Sequence, residues 1–221
     1  MSRPFAILPI KPFDQAKQRL RDALGPSPRA ALVQAMFSDV LVALRRATEI
    51  ERVLVVSSDH GAQRMAEGYG ALVVDDDQLG HNKAAAHGIA CALELGATRV
   101  LLVPGDCPLL DPRELDALIA GHTDPRSAVI VPDRHGTGTN ALLLSLPDAL
   151  EPAFGPLSRT RHEQKARDAG LTPVTVTVAS LALDLDTPED LVAIEQALAS
   201  GRGGAAHTRG MLSQLARIRP T

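Results

Sequence analysis

Aromatic side chains are nearly missing from this chain, which has no Trp, one Tyr and four Phe. Little surface is left for stacking on bases, so a single-strand nucleic-acid binder is disfavoured. Cysteine is as scarce. Cys91 and Cys107 stand in neither a CxxC nor a His-rich setting, which leaves no disulfide framework or zinc site to read and points to a reducing compartment, the cytoplasm. Positive charge is not in excess either: 23 Lys and Arg against 26 Asp and Glu leave a formal charge of −3. Duplex nucleic acid and anionic membranes are therefore not expected partners, and an anionic ligand would have to be held locally. Long apolar runs are absent. Met1-Ser2-Arg3-Pro4 leads into an apolar segment of about six residues, too short for a signal h-region or a membrane span. No GxGxxG follows that segment, so a conventional dinucleotide fold is not supported.

What is present is a globular composition, with 45% hydrophobic and 22% charged residues over 221 positions, enough for one domain with an appendage. Apolar runs of strand length alternate with stretches of helical period, as a mostly parallel sheet covered by helices requires. The fold class is α/β. Strands are expected at 5–10, 53–57, 71–75, 100–103, 128–131, 141–144 and 173–178. Helices are expected at 14–24, from a cap at Ser27, and at 61–69, 82–95, 112–120 and 159–169. A last helix opens at Thr187-Pro188-Glu189-Asp190, where a hydroxyl cap, a first-turn Pro and two acids form a strong start signal. Residues 1–200 then form the domain, and 201–221 a flexible linker and loosely held tail.

Three groups of residues carry candidate chemistry. Lys11, Lys17 and Arg19 lie between the end of the first strand and the opening turn of the helix expected after it, a place for polyphosphate; a solvated basic face is the plain alternative. Asp106 follows an apolar strand, while Asp184 and Asp186, about 80 residues later, alternate with Leu183 and Leu185 so that both carboxylates share one side. Carboxylates facing one way repel, which suits a Mg²⁺ ion between them; turn and cap roles are the alternative. The third group is Gly136-Thr137-Gly138-Thr139-Asn140 with Phe154-Gly155-Pro156-Leu157-Ser158, followed by Arg159, Arg161 and His162. Glycines and hydroxyls there suit a small anion, a hairpin turn being the alternative, and His162 is expected to cover a surface helix. The Asp75-Asp76-Asp77 run reads as a solvated loop.

These segments, together with Ile7-Leu8-Pro9-Ile10-Lys11-Pro12, Ala16-Lys17-Gln18-Arg19-Leu20, Gly105-Asp106-Cys107-Pro108 and Leu183-Asp184-Leu185-Asp186-Thr187-Pro188-Glu189-Asp190-Leu191, resemble the guanylyltransferases of coenzyme F420 biosynthesis over roughly residues 5–195. The resemblance implies a single-domain Rossmann-like sandwich similar to nucleotide-diphospho-sugar transferases. It implies GTP as donor and 2-phospho-L-lactate, phosphoenolpyruvate or 3-phospho-D-glycerate as acceptor, with pyrophosphate released. It further implies Asp106, Asp184 and Asp186 as Mg²⁺ ligands, Thr139, Gly155 and Ser158 as contacts to the acid, Lys11 and Lys17 as phosphate-binding residues, and a homodimer, which base rates also favour. Where the family usually has Leu-Asn, this chain reads Gly80-His81-Asn82-Lys83; Asn82 remains available for guanine or ribose, and His81 alters that wall.

On this reading the acid's own phosphate is the nucleophile, since a monoester is largely dianionic near neutral pH, and catalysis reduces to alignment and charge stabilisation. The rivals are a nucleotidyltransferase for a sugar phosphate or a molybdopterin, and a nucleotide-binding module without turnover.

Overall fold

A computed structural model describes residues 2–76, 80–201 and 204–218. Seven strands form one sheet: β1 (Phe5–Pro9), β2 (Arg52–Val56), β3 (Leu72–Val74), β4 (Val100–Leu102), β5 (Ser127–Pro132), β6 (Thr139–Leu144) and β7 (Thr172–Thr175). Their spatial order is β3-β2-β1-β4-β6-β5-β7, and β6 runs antiparallel to both its neighbours while the other pairings are parallel. The mostly parallel α/β class expected from the alternating pattern is observed.

Period-two alternation along each strand feeds two cores. Ala6, Leu8, Val55, Leu101, Val129 and Leu143 pack on one face, under α1 (Pro26–Arg46), α2 (His60–Gly68), α4 (Pro112–Gly121), α6 (Pro188–Ala199) and α7 (Ala206–Ile218). Phe5, Ile7, Leu54, Val56, Leu102 and Ile130 pack on the other, under α3 (His81–Glu94) and α5 (Ser158–Asp168). Burial on both faces is why the strand sequences read as continuous apolar runs. In α1 the stripe of Val33, Met36, Phe37, Val40, Leu41 and Leu44 is buried, as its spacing predicts. That helix begins one residue before Ser27, with Gly25 as cap and Pro26 in the first turn, because a proline needs no N–H partner there. At α6 the Thr187 hydroxyl accepts from Asp190 N and the Asp190 carboxylate accepts from Thr187 N, a complete capping box.

Two expectations fail. The helix expected at 14–24 is a loop containing one 3-10 turn, Gln18–Leu20, because Lys17 adopts φ +54°, outside the right-handed helical region. Buried Phe13, Leu20 and Leu24 pin this loop to the core, and their spacing mimics a helical face. The tail is not loosely held. Helix α7 lies against α1 with Leu212 and Leu215 buried, and the buried Asp39 of α1 accepts from the backbone N–H groups of His207 (3.1 Å) and Thr208 (2.7 Å). An acid inside an apolar stripe was the signal. Of the expected linker, Arg202 and Gly203 lie outside the described residues.

Replacing Asp39 with Ala removes that cap, so urea unfolding is expected to show a loss of about 1–2 kcal/mol, with faster tryptic cleavage at Arg209. Unchanged stability and cleavage would mean that α7 is held by its apolar face alone.

Candidate functional site

In open sheets of this kind ligands bind at the carboxyl ends of the strands, where the strand order reverses. Here the reversal lies between β1 and β4. A cleft of about 370 Å³ opens there, lined by Lys11, Lys17, Arg19, His81, Asp106 and Asp186. Gly105 permits the loop after β4 to cross the end of β1, since a Cβ at that position would stand 2.3 Å from Ile10 Cδ1.

The fold brings the three distant aspartates together. Leu185 is fully buried and its N–H donates to the Asp106 carbonyl at 3.2 Å, which ties the two loops and turns Asp184 and Asp186 away from the core. Residues 183–186 are irregular and join no ladder. Between Asp106 and Asp186 stands the Lys17 ammonium, which donates to Asp106 Oδ2 and, at 2.7 Å, to Asp186 Oδ1. Asn140 Nδ2 donates to Asp184 Oδ1 at 3.1 Å and to the Leu181 carbonyl at 2.6 Å.

Charge in this cluster is unevenly compensated. Burial alone would lower the Lys17 pKa, but Asp106 and Asp186 overcome it and hold the amine well above the usual lysine range. Asp186 is half-exposed; its partial burial would raise its carboxyl, and Lys17 nonetheless keeps it below the usual value. Asp184, which lacks such a partner, is pushed up to about 6 by burial and by the neighbouring Asp106. Asp106 Oδ1 is buried without a hydrogen-bond partner. The left-handed backbone of Lys17 disfavours an L residue, a strain of the kind that concentrates at functional sites.

A smaller recess of about 50 Å³ lies beside the cleft, between Pro9, His81, Leu102, Thr139, Asn140 and Phe154. Thr139 opens β6, and its hydroxyl is 2.9 Å from His162 Nδ1. Gly155, at φ +113°, and Leu157, at φ +57°, turn the chain into α5, which starts with the buried Ser158. Phe154 stands between two rings, with His81 at 5.2 Å and His162 at 5.0 Å, both edge to face.

Some expectations change here. The Asn82 amide is spent on Phe154, accepting from its N–H at 2.7 Å and donating to its carbonyl at 3.1 Å. It braces the backbone of Phe154, at the head of the loop of Gly155 and Ser158. His162 does not cover a surface; it is fully buried. The basic residues sit on an irregular loop, so no helix start strengthens Lys11 or Lys17, and Lys11 and Arg19 are exposed. In the Asp75–Asp77 run, Asp75 accepts from Gln63 Nε2 at 2.6 Å, and Asp77 lies outside the described residues.

Several positioning residues went unread in the sequence. Asp190 accepts from the N–H of Asp186 (3.0 Å) through the same oxygen that completes the α6 cap, and its other oxygen pairs with Arg134 at 2.6 Å. Asp59 caps α2 and also accepts from Phe13 N at 2.9 Å, pinning the basic loop. Burial would raise the Asp59 pKa, but its backbone donors hold it below the usual range. An acid at an N-cap reads only as a cap in sequence; its second partner is visible only in three dimensions.

The chain matches a family model described as guanylyl transferase CofC like over residues 5–216. It is 55% identical over 218 residues to a phosphoenolpyruvate guanylyltransferase of Conexibacter woesei, covering 98% of each chain. It is 35% identical over 212 residues to a 2-phospho-L-lactate guanylyltransferase of Methanothermobacter thermautotrophicus, covering 95% of this chain and 90% of that one. A 3-phospho-D-glycerate guanylyltransferase of Phenylobacterium zucineum is 37% identical over 194 residues, covering 86% and 88%. Among solved structures, a Desulfovibrio desulfuricans protein described provisionally as a nucleotide-diphospho-sugar transferase superposes with a TM-score of 0.75 at 19% identity over 98% of each chain, a likeness of fold.

Burial first, with the nearby Arg161 and Lys165, lowers the His162 pKa from 6.5 to about 4. The unfolded chain therefore takes up a proton that the folded one refuses between those values, so stability falls as pH drops through that window, by up to about 1.4 kcal/mol per pH unit. Thermal melts from pH 7 to 4 should show a shallower slope in His162→Phe than in the wild type. An identical slope would locate the acid sensitivity elsewhere.

Proposed function

The chain belongs to the CofC-like guanylyl transferase family, and from that premise we propose that it transfers GMP from GTP to phosphoenolpyruvate in the route to coenzyme F420, releasing pyrophosphate. The observation that carries the reading is the meeting of Asp106, Asp186 and Lys17 in one cleft, with Asp184 close to both aspartates, beside a recess that holds Thr139 and Phe154. The nucleoside triphosphate occupies the larger cleft with its phosphates toward Lys11, Lys17 and Arg19. The acid occupies the recess, where the Thr139 hydroxyl suits its oxygens, with Ser158 and the first turn of α5 following Phe154 in the chain.

The aspartates suit a divalent cation. Two carboxylates share one ammonium, Asp106 Oδ1 is buried and unpartnered, and Asp184, without a cationic partner, is pushed up by burial and by Asp106. Among the described residues no three acidic, His or Cys side chains are already gathered as a metal cage, and Lys17 fills the gap between Asp106 and Asp186. Asp106, Asp184 and Asp186 would hold Mg²⁺ once Lys17 turns toward the triphosphate, and the ion would supply positive charge between two anionic reactants. Lys17 then stabilises the departing pyrophosphate with Lys11 and Arg19. No side chain need act as nucleophile or general base, because the acid's phosphate attacks the α-phosphorus of GTP.

Phosphoenolpyruvate is favoured as the acid by the 55% identity to the Conexibacter woesei enzyme. With GTP, Mg²⁺ and an equimolar mixture of the three acids, mass spectrometry should find mainly the guanylylated enolpyruvate product. A dominant glycerate or lactate product would overturn that choice of acid; pyrophosphate release that ignores all three would overturn the transfer.

Asp106→Asn is expected to lower turnover by about 10²-fold or more, with the far-UV circular dichroism unchanged. Near-normal pyrophosphate release from that variant would remove Asp106 from the mechanism.

A further inference from the structure

Among the described residues, the only imidazole buried completely makes two hydrogen bonds whose directions can be assigned. His162 Nε2 lies 2.9 Å from the backbone nitrogen of Ala153, which can only donate, so Nε2 is the acceptor and carries no proton. The neutral ring therefore carries its proton on Nδ1, 2.9 Å from Thr139 Oγ1. Burial and the neighbouring Arg161 and Lys165 keep the ring neutral. With Nδ1–H donating to the Thr139 oxygen, the hydroxyl's own proton must point elsewhere. Thr139 lines the recess beside the cleft, and the recess is where that proton can go.

We propose that His162 is a positioning residue that fixes the Thr139 hydroxyl as a donor toward an anionic oxygen of the bound acid. The chain runs Ala153 N–H to Nε2, Nδ1–H to Thr139 Oγ1, and Thr139 O–H to the substrate, each link setting the direction of the next. Freed from the ring, the hydroxyl would rotate and present lone pairs to an anion part of the time. His162 also packs edge to face on Phe154, whose backbone is braced at both ends by Asn82. The histidine thus couples the Thr139 strand to the loop of Gly155 and Ser158. Sequence reading cannot find this role, since His162 occupies the first turns of a polar helix.

The proposal rests on the acid binding in this recess, and its test separates the two. In wild-type protein labelled with ¹⁵N-histidine, at pH 7, the ring whose shifts respond to Thr139→Val should be neutral and protonated on Nδ1. An Nε2-protonated or doubly protonated ring would overturn the proposal whether or not any acid is a substrate. In steady-state assays with phosphoenolpyruvate, Thr139→Val and His162→Phe should each raise the KM for the acid about tenfold to a hundredfold, with the KM for GTP within about twofold. Combining them should add little to Thr139→Val alone, and His162→Asn, which keeps a donor near Nδ1, should recover part of the loss. Additive penalties, or equal rises in both KM values, would overturn the coupling. Wild-type enzyme that turns over no acid would instead sink the proposed function and leave the tautomer result standing.

Discussion

One ammonium group organises the functional end of this molecule. Lys17 reaches from the loop after β1 to Asp106 after β4 and to Asp186 before α6, joining three segments far apart in the chain. It does so from a left-handed backbone position, which prevents the helix that the flanking apolar residues would otherwise form. Burying several carboxylates near each other is costly unless a cation is present. In the substrate-free enzyme Lys17 supplies that cation. The aspartates can then remain close, which is the arrangement the divalent cation proposed above would use.

Around this interaction the scaffold is held by polar contacts that each do two things. Asp190 completes a helix cap while tying Asp186 and Arg134 together. Asp59 caps α2 while anchoring the basic loop at Phe13. Asn140 holds Asp184 while satisfying a buried carbonyl, and Asn82 braces the backbone of Phe154. Such double use keeps few buried polar groups unsatisfied and makes the loop positions depend on one another. A substitution at any of these residues would act on substrate geometry and on local stability together.

The strand pattern and the capping signal at α6 were legible because each depends on local rules: alternation of apolar residues, proline in a first turn, a hydroxyl three residues before an acid. The aspartates could be nominated for the same reason, since Asp184 and Asp186 alternate with buried leucines. The helix expected at 14–24 shows the limit. Phe13, Leu20 and Leu24 are core residues at near-helical spacing, yet the loop is shaped by what Lys17 must reach. The C-terminal helix shows another limit: α7 is stabilised by Asp39, nearly 170 residues away, and no window of sequence contains both partners.

From the chain alone came the α/β class, the order of elements, the acidic and basic candidates and the family likeness, all of them consequences of short-range periodicity and residue chemistry. Tertiary structure decided which groups meet. It placed an amine between two carboxylates, turned a histidine from an expected surface position into a buried hydrogen-bonding ring, and set the Asn82 amide against the backbone of Phe154. Those outcomes depend on distances between segments, and such distances are set by how the sheet and its helices pack, which local pattern does not encode.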